Sequence, residues 1–434
     1  MISLSALGFI AIIVFLGLIM SKRLTAFSAL IFIPIVFGLV AGFGPQLGSM
    51  MAKGLVGVAP TAILMLFAIL FFGVVSDAGL FDPVIKGIMK AVKGDPVRVT
   101  VGTAVLAAAA SLEGEGAVTI MITITAMLPL YRRLGMRPVV LAMITLFTIG
   151  LKSLVPWAGP AARIMTSLQV EAPDLFNPLI PSLVLGFVYA MFASYWLGKI
   201  EQKRLGVVHV DEMALSEMAS TLLAEGADLK RPKLLWVNLL LTVAIMVGVV
   251  QRWLPTSVLF VIGTALALII NYRSLKDQQA RLAAHAKGAL TVVGVVFAAG
   301  IFMGIFTGTK TVDAMAASLI TIIPVTWGPH MALLTAIISG PAAFLLSVDA
   351  FYFGVLPILA KTASIYGIST IEVARASMMG LPIHILTPLT GTIWLLLGML
   401  DITWDEMFKF CLPWMVGMSL VFMITAMMLG AFAF

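Results

Sequence analysis

Glu113 and Glu115 stand on either side of Gly114, with Gly116 next, inside a run that is apolar on both flanks. Two neighbouring carboxylates in a low-dielectric site do not both ionise unless a cation lies between them. The pair therefore suits a divalent metal ion, sodium or a proton, and the two glycines free the backbone to wrap a small ion. A bland alternative is a solvated turn. A second acidic centre repeats the spacing: Asp349 follows Ser347 by two residues, as Glu113 follows Ser111. A charge at the centre of a membrane is costly unless paired, which makes each of these carboxylates a functional candidate. Two basic residues flank an interruption at Pro156 and Gly159. Lys152 could pair with a tip glutamate, hold a substrate carboxylate, or supply its own ammonium where a metal ion would otherwise sit. Arg163 reads equally as a substrate clamp and as a side chain snorkelling to headgroups. His384 adjoins a matching interruption at Pro388 and Gly391, either as a packed polar residue or as a proton relay.

The elements that must position these groups are membrane helices. Of 434 residues, 61% are hydrophobic and 11% charged, with mean hydropathy +1.11; a soluble domain carries about 25% charged residues. The first apolar run has no basic stretch before it and reads as a membrane span rather than a cleaved leader. Cys411 is the single cysteine, so no intramolecular disulfide is available. The sequence holds no P-loop, no Cys/His metal cluster and no nucleic-acid motif, so uphill work must draw on an ion gradient or another subunit. The net charge of +7 is read as the cytoplasmic excess of Lys and Arg in membrane proteins.

Ten spans are expected, near 2–20, 24–43, 59–80, 138–168, 178–198, 233–251, 255–272, 288–308, 376–399 and 410–432. Residues 97–131 and 330–361 differ: each is apolar with a polar centre, and each half is too short to cross alone. They are expected to be re-entrant hairpins. Charge supports this, because basic loops flank 97–131 on both sides and a plain crossing would put Arg132 and Arg133 outside. With the hairpins, and with both termini on the extracytoplasmic side, most of the 27 Lys and Arg fall inside.

The expected fold is an all-α polytopic membrane protein made of two inverted repeats. Each has five transmembrane helices, one re-entrant hairpin, and a broken helix after it. Residues 1–199 form the first repeat, 200–232 a cytoplasmic linker and 233–434 the second repeat. Inverted repeats with interrupted helices at the midplane are the pattern of secondary transporters. Broken helices expose backbone N–H and C=O groups that lipid cannot satisfy, so these must face ligand, water or protein.

These residues resemble the CitMHS family of metal–citrate/proton symporters in the ion transporter superfamily. The similarity runs nearly the full length and is densest in Leu55–Arg137, in Pro156–Arg163 and from Trp327 to Thr387, including DAFYFGVLPIL (Asp349–Leu359) and EVARAS (Glu372–Ser377). The resemblance implies a bacterial-type inner membrane, a homodimer with elevator-type motion, and a substrate site between the hairpin tips and the broken spans. Taken with that placement, the expected substrate-binding set is Ser111, Gly114, Gly116, Thr119, Lys152, Gly159, Ser347, Asp349, Ala350, His384 and Thr387, with Lys152 and His384 read from the residues themselves. Glu113, Glu115 and Asp349 would hold the coupling ion or proton, and Glu113 and Glu115 a metal. The family usually shows Asp-Gly-Asp-Gly where this chain has Glu113–Gly116, Ser-Asn-Asp where Val348 now stands in the middle, and an uncharged residue at Lys152.

The expected function is proton- or cation-coupled symport of a di- or tricarboxylate, citrate-like, with Mg²⁺ or another divalent ion carried alongside it, or with H⁺ or Na⁺ as coupling ion. A second reading is a smaller organic anion without metal, Lys152 replacing the cation. A passive anion channel would need a continuous polar pore, which two closed hairpins oppose. No catalytic motif points to an intramembrane enzyme. The expected partners are a small organic anion and the lipid bilayer, with no nucleic acid.

Overall fold

A computed structural model describes residues 3–92, 94–112, 116–206, 227–321 and 325–433. Among them every regular element is helical. The first half contains α1 (Leu4–Met20), α2 (Ala26–Val40), α3 (Gly44–Asp77), α4 (Asp82–Val92), α5 (Pro96–Ser111), α6 (Gly116–Leu134), α7 (Pro138–Lys152), α8 (Gly159–Leu168), α9 (Ala172–Phe176) and α10 (Ile180–Leu205). The second contains α11 (Leu235–Val250), α12 (Thr256–Asn271), α13 (Leu275–Gly308), α14 (Thr311–Ile320), α15 (Met331–Leu346), α16 (Leu356–Ile365), α17 (Thr370–Ser377), α18 (Leu381–His384), α19 (Gly391–Leu400) and α20 (Trp404–Met428). By length and composition, seven helices among the described residues are able to cross a membrane. The chain also exposes large apolar side chains such as Phe32, Phe192, Trp196, Leu240 and Ile269, which suits a lipid surround.

Two 34-residue helices, α3 and α13, form the spine. Each is about 51 Å long, well beyond the hydrocarbon thickness of a bilayer. They run antiparallel. Near one end Gly54 lies so close to Gly300 and Gly304 that a Cβ on Gly54 would sit 2.0 Å from the Gly300 carbonyl oxygen. Near the other, the ring of His285 lies 2.6 Å from where a Cβ of Gly73 would be. Small residues let the backbones meet, and this takes the place of a hydrophobic driving force that lipid does not supply. The second crossing is pinned by charge: Asp77 accepts from His285 Nε2 at 2.9 Å and from Arg281 Nη1 at 3.2 Å. The helices α1, α2 and α14 pack around this spine through Phe15, Leu30, Phe302, Phe306 and Met315.

Left-handed residues recur at corresponding turns of the two halves. Lys22 after α1 has φ +56° and Arg252 after α11 has φ +55°. Gly79 and Lys310 follow α3 and α13, Gly135 and Gly367 follow the hairpins, and Gln169 and Asp401 end α8 and α19, all with positive φ. Helices α8 and α19 are each 10 residues long.

The elements depart from expectation in three ways. The spans expected at 59–80 and 288–308 begin much earlier, because polar residues such as Gln46, Lys53, Lys276 and Arg281 mask the first turns of α3 and α13. Short helices α4 and α14 follow them, where no element was expected. The hairpin limbs are longer than half-spans: α6 has 19 residues, and the stretch Thr326–Leu346 has 21, each enough to cross by length. Arg132 and Arg133, expected to follow the hairpin as loop, extend α6. Of the expected linker 200–232, residues 207–226 lie outside the described residues.

Candidate functional site

Helices α5 and α6 pack against each other on either side of residues 113–115, which lie outside the described residues, and α15 and α16 are joined through Ser347; α7 and α8, and α18 and α19, are each separated by a short non-helical stretch. Asp95 caps α5, its Oδ1 accepting from Val97 N–H at 3.0 Å, and Pro96 follows at the first helical position, where its missing N–H costs nothing. The limbs α5 and α6 are stitched by Thr103 and Tyr131 hydroxyls at 3.3 Å. The second hairpin turns at Ser347, whose φ of +80° and ψ of 159° lie in a region nearly reserved for glycine. A widened π turn, Ala350–Val355, then leads into α16. Such turns cost regular hydrogen bonding and recur at functional sites.

Each break is tied to the hairpin of its own half. Trp157, between α7 and α8, donates from Nε1 to the Leu112 carbonyl at 3.0 Å. Thr387, between α18 and α19, donates from Oγ1 to the Phe344 carbonyl at 2.7 Å. In both cases a break side chain satisfies a carbonyl that the end of a hairpin limb leaves open.

The pieces after the breaks reach across to the opposite hairpin. Arg163 of α8 donates from Nε to Asp349 Oδ1 at 2.5 Å, joining the first half to the second tip. A Cβ on Gly116, at the first tip, would lie 3.3 Å from Thr392 Cγ2 of α19 and 3.6 Å from Lys152 Nζ. Between these contacts lies a cavity of about 320 Å³. Its polar wall is Lys152, Ser153, Arg163, His384, Thr390 and Thr392, with Gly116, Gly159 and Val348 contributing from tips and breaks. Trp157 and Ile385 close it from the break loops, and Met65, Ile69, Thr291 and Val292 supply a wall from α3 and α13. The volume lies in the range of small-molecule sites. Among the described residues on this wall the titratable side chains are Lys152, Arg163 and His384, all basic, and none is acidic. The N-termini of α8 and α19 open onto it through Gly159, Thr390 and Thr392, and helix N-termini favour anions.

The cavity brings together four expected site residues, Gly116, Lys152, Gly159 and His384, and also Arg163. His384 is buried, and neither ring nitrogen has a hydrogen-bond partner. Asp349 is not on the wall itself; it pairs with Arg163, which is. Others serve the frame of the tips. Ser111 donates to the Ala108 carbonyl at 2.8 Å, Ser347 Oγ accepts from Ala350 N–H at 3.4 Å, and Thr387 holds the second hairpin. Thr119 and Ala350 are fully buried. None of these five is on the cavity wall. Glu113, Gly114 and Glu115 lie outside the described residues. Among the described residues no cluster of three His, Cys, Asp or Glu side chains could hold a metal ion.

Several wall residues carried no expectation as site residues. Thr390 and Thr392 lie where the second break was legible, and the Gly391 that marks it could have pointed to them. Thr291 sits in the long apolar run of α13, where a lone threonine carries no signal.

The chain matches the family model CitMHS, described as citrate transporter, over residues 2–380. It is 51% identical over 431 residues to a Bacillus subtilis protein named citrate transporter, covering 99% of this chain and 100% of the relative. It is 44% identical over 429 residues to the Mg(2+)/citrate complex secondary transporter of the same organism, covering 99% of each. In fold it is similar to the Alcanivorax borkumensis YdaH transporter, with TM-score 0.53, 15% identity, and coverage of 89% of this chain and 88% of that one.

Proposed function

We propose, starting from the plain fact that this chain belongs to the CitMHS family of citrate transporters and is a membrane transporter rather than an enzyme, that it carries citrate or a closely similar di- or tricarboxylate by coupled symport. The observation that carries this reading is the cavity between the two hairpin tips and the two breaks, with Lys152, Arg163 and two helix N-termini turned to it. A polycarboxylate needs several cationic or N–H donors arranged around a space of its own size. The names of the two relatives support citrate in particular, and one of them supports a divalent-metal complex as cargo.

Coupling is assigned to the acidic tips: Asp349 on the second, Glu113 and Glu115 on the first. Ser111, Gly114, Gly116, Thr119, Gly159, Ser347, Ala350, His384 and Thr387 complete the substrate-binding region, some by contact and some by holding the tips. The two halves are read as inverted repeats, 1–199 and 233–434, joined by a cytoplasmic linker at 200–232. Matched left-handed turns and the antiparallel course of α3 and α13 support this, since inversion makes corresponding helices run opposite ways. The site belongs to a moving module that slides on the spine in a homodimer of the bacterial inner membrane, with both termini extracytoplasmic.

A second reading has one observation behind it. Lys152 is buried at the wall, 8% exposed, where its ammonium could stand in for a metal ion. The test is uptake of a labelled carboxylate panel by proteoliposomes, with and without Mg²⁺ and with and without an inward proton gradient. Mg²⁺-dependent citrate uptake supports the metal complex. Metal-independent uptake abolished by Lys152→Ala supports the lysine. No uptake of any carboxylate contradicts both.

A further inference from the structure

Arg163 and Asp349 are 186 residues apart and belong to opposite halves, yet they form an ion pair whose arginine lines the cavity. The pair is partly open: the side chains are 23% and 22% exposed. A carboxylate entering the cavity meets in Arg163 a guanidinium whose Nε is already held by Asp349. A substrate carboxylate that takes the side-on edge of Arg163, Nε together with one Nη, displaces Asp349 from Nε, because a guanidinium grips a carboxylate by two parallel N–H bonds. Once displaced, Asp349 is an unpaired anion in a half-buried site, which is unfavourable until a cation joins it. The reverse also holds. A cation that captures Asp349 alone leaves Arg163 without its counter-charge.

We propose that the Arg163–Asp349 pair is an exchangeable lock that makes anion binding conditional on a cation. One internal ion pair is traded for two external ones: substrate carboxylate on Arg163, and cation on Asp349. Charge balances before and after the exchange but not with one ligand alone, so neither ligand completes it by itself. By thermodynamic reciprocity the cation then tightens the anion as much as the anion tightens the cation. The cation is a proton, a sodium ion or a divalent ion arriving with the substrate, since each neutralises a carboxylate. This rests on the reading of the cavity as the substrate site, and it assigns to Asp349 the role of making transport coupled rather than of gripping the substrate.

The test is equilibrium binding of radiolabelled citrate to the purified full-length protein, with Mg²⁺, with Na⁺, with chelator alone, and at two pH values. For the wild type, at least one cation should tighten citrate about tenfold or more, within the usual span of coupling between sites. Asp349→Asn should still bind citrate, with that dependence reduced to less than about twofold. Asp349→Glu, which keeps the charge, should retain it. Arg163→Gln should lose citrate binding under every condition. Asp349→Ser is a second neutral variant if the asparagine does not fold, and a thermal melt of each variant separates lost binding from lost structure. An Asp349→Asn or Asp349→Ser protein that keeps the full wild-type dependence overturns the proposal and leaves the citrate reading standing. Wild-type binding that no cation alters also overturns it. A wild type that binds no citrate at all overturns the citrate reading, and the lock with it.

Discussion

Arg163 Nε lies 2.5 Å from Asp349 Oδ1, so a residue one turn into α8 reaches the tip of the opposite hairpin. The contact joins the two halves beside the cavity that Arg163 lines. A solvent-reached pair stabilises a fold by at most about 1 kcal/mol, far less than a buried one. Arg163→Ala should therefore lower folding stability by about 1 kcal/mol or less, while initial uptake falls about a hundredfold, since a charged hydrogen bond to substrate is worth about 1.5–3 kcal/mol. Paired melting and uptake measurements check this. Equal small losses in both would assign the pair a structural role.

His384 gives the opposite separation. Its two ring nitrogens are buried with no partner, so the folded protein gains nothing from their polarity. Replacing a buried, unsatisfied polar group by an apolar one is neutral or favourable for stability. His384→Leu should melt no lower than wild type and should take up citrate about two- to tenfold more slowly, the cost of one lost substrate hydrogen bond. Unchanged uptake would make the ring a packing residue.

Ser347 holds the second tip with φ +80° and ψ 159°, which costs a residue with a Cβ about 1–3 kcal/mol. Ser347→Gly should raise the melting temperature by relieving that strain, while Ser347→Val should lower it. A melt series in one detergent decides, and a drop for the glycine variant would mean that the bond from Ala350 N–H to Ser347 Oγ outweighs the strain.

The spine makes a prediction about stability alone. A Cβ at Gly54 would lie 2.0 Å from the Gly300 carbonyl oxygen, and backbone cannot step aside. Gly54→Ala should destabilise by about 1–3 kcal/mol or more, as overpacking does. Gly48 is in the same helix with open space around it, so Gly48→Ala should be neutral or mildly stabilising. Similar melts for the two would mean that α3 and α13 do not meet at Gly54.

The parts of the fold that interrupt an apolar pattern were legible in the sequence. Ser111 and Asp349 mark the tips, and Pro156, Gly159, Pro388 and Gly391 mark the breaks, because each conflicts with a continuous membrane helix. Elements that offer no such conflict were not. The early turns of α3 and α13 carry Lys53 and Arg281, which depress hydropathy although the helix continues through them. The amphipathic α4 and α14 are too short and too mixed to stand out. Of the cavity wall, Lys152, Gly159 and His384 were singled out in the sequence by their place beside a break, and all three line the cavity. The Arg163–Asp349 contact was not, since spacing along the chain says nothing of a pair 186 residues apart.

On the proposed reading, the cavity between the tips carries a carboxylate by coupling it to a cation. The most direct test of that reading is the time course of labelled-citrate uptake into proteoliposomes holding wild type or Asp349→Asn, with Mg²⁺ outside and an inward proton gradient. Wild type should concentrate citrate above the external level and lose the excess when the gradients collapse. Asp349→Asn should equilibrate citrate without concentrating it. Concentrative uptake by the variant to the wild-type level, or no citrate uptake by the wild type, would contradict the account.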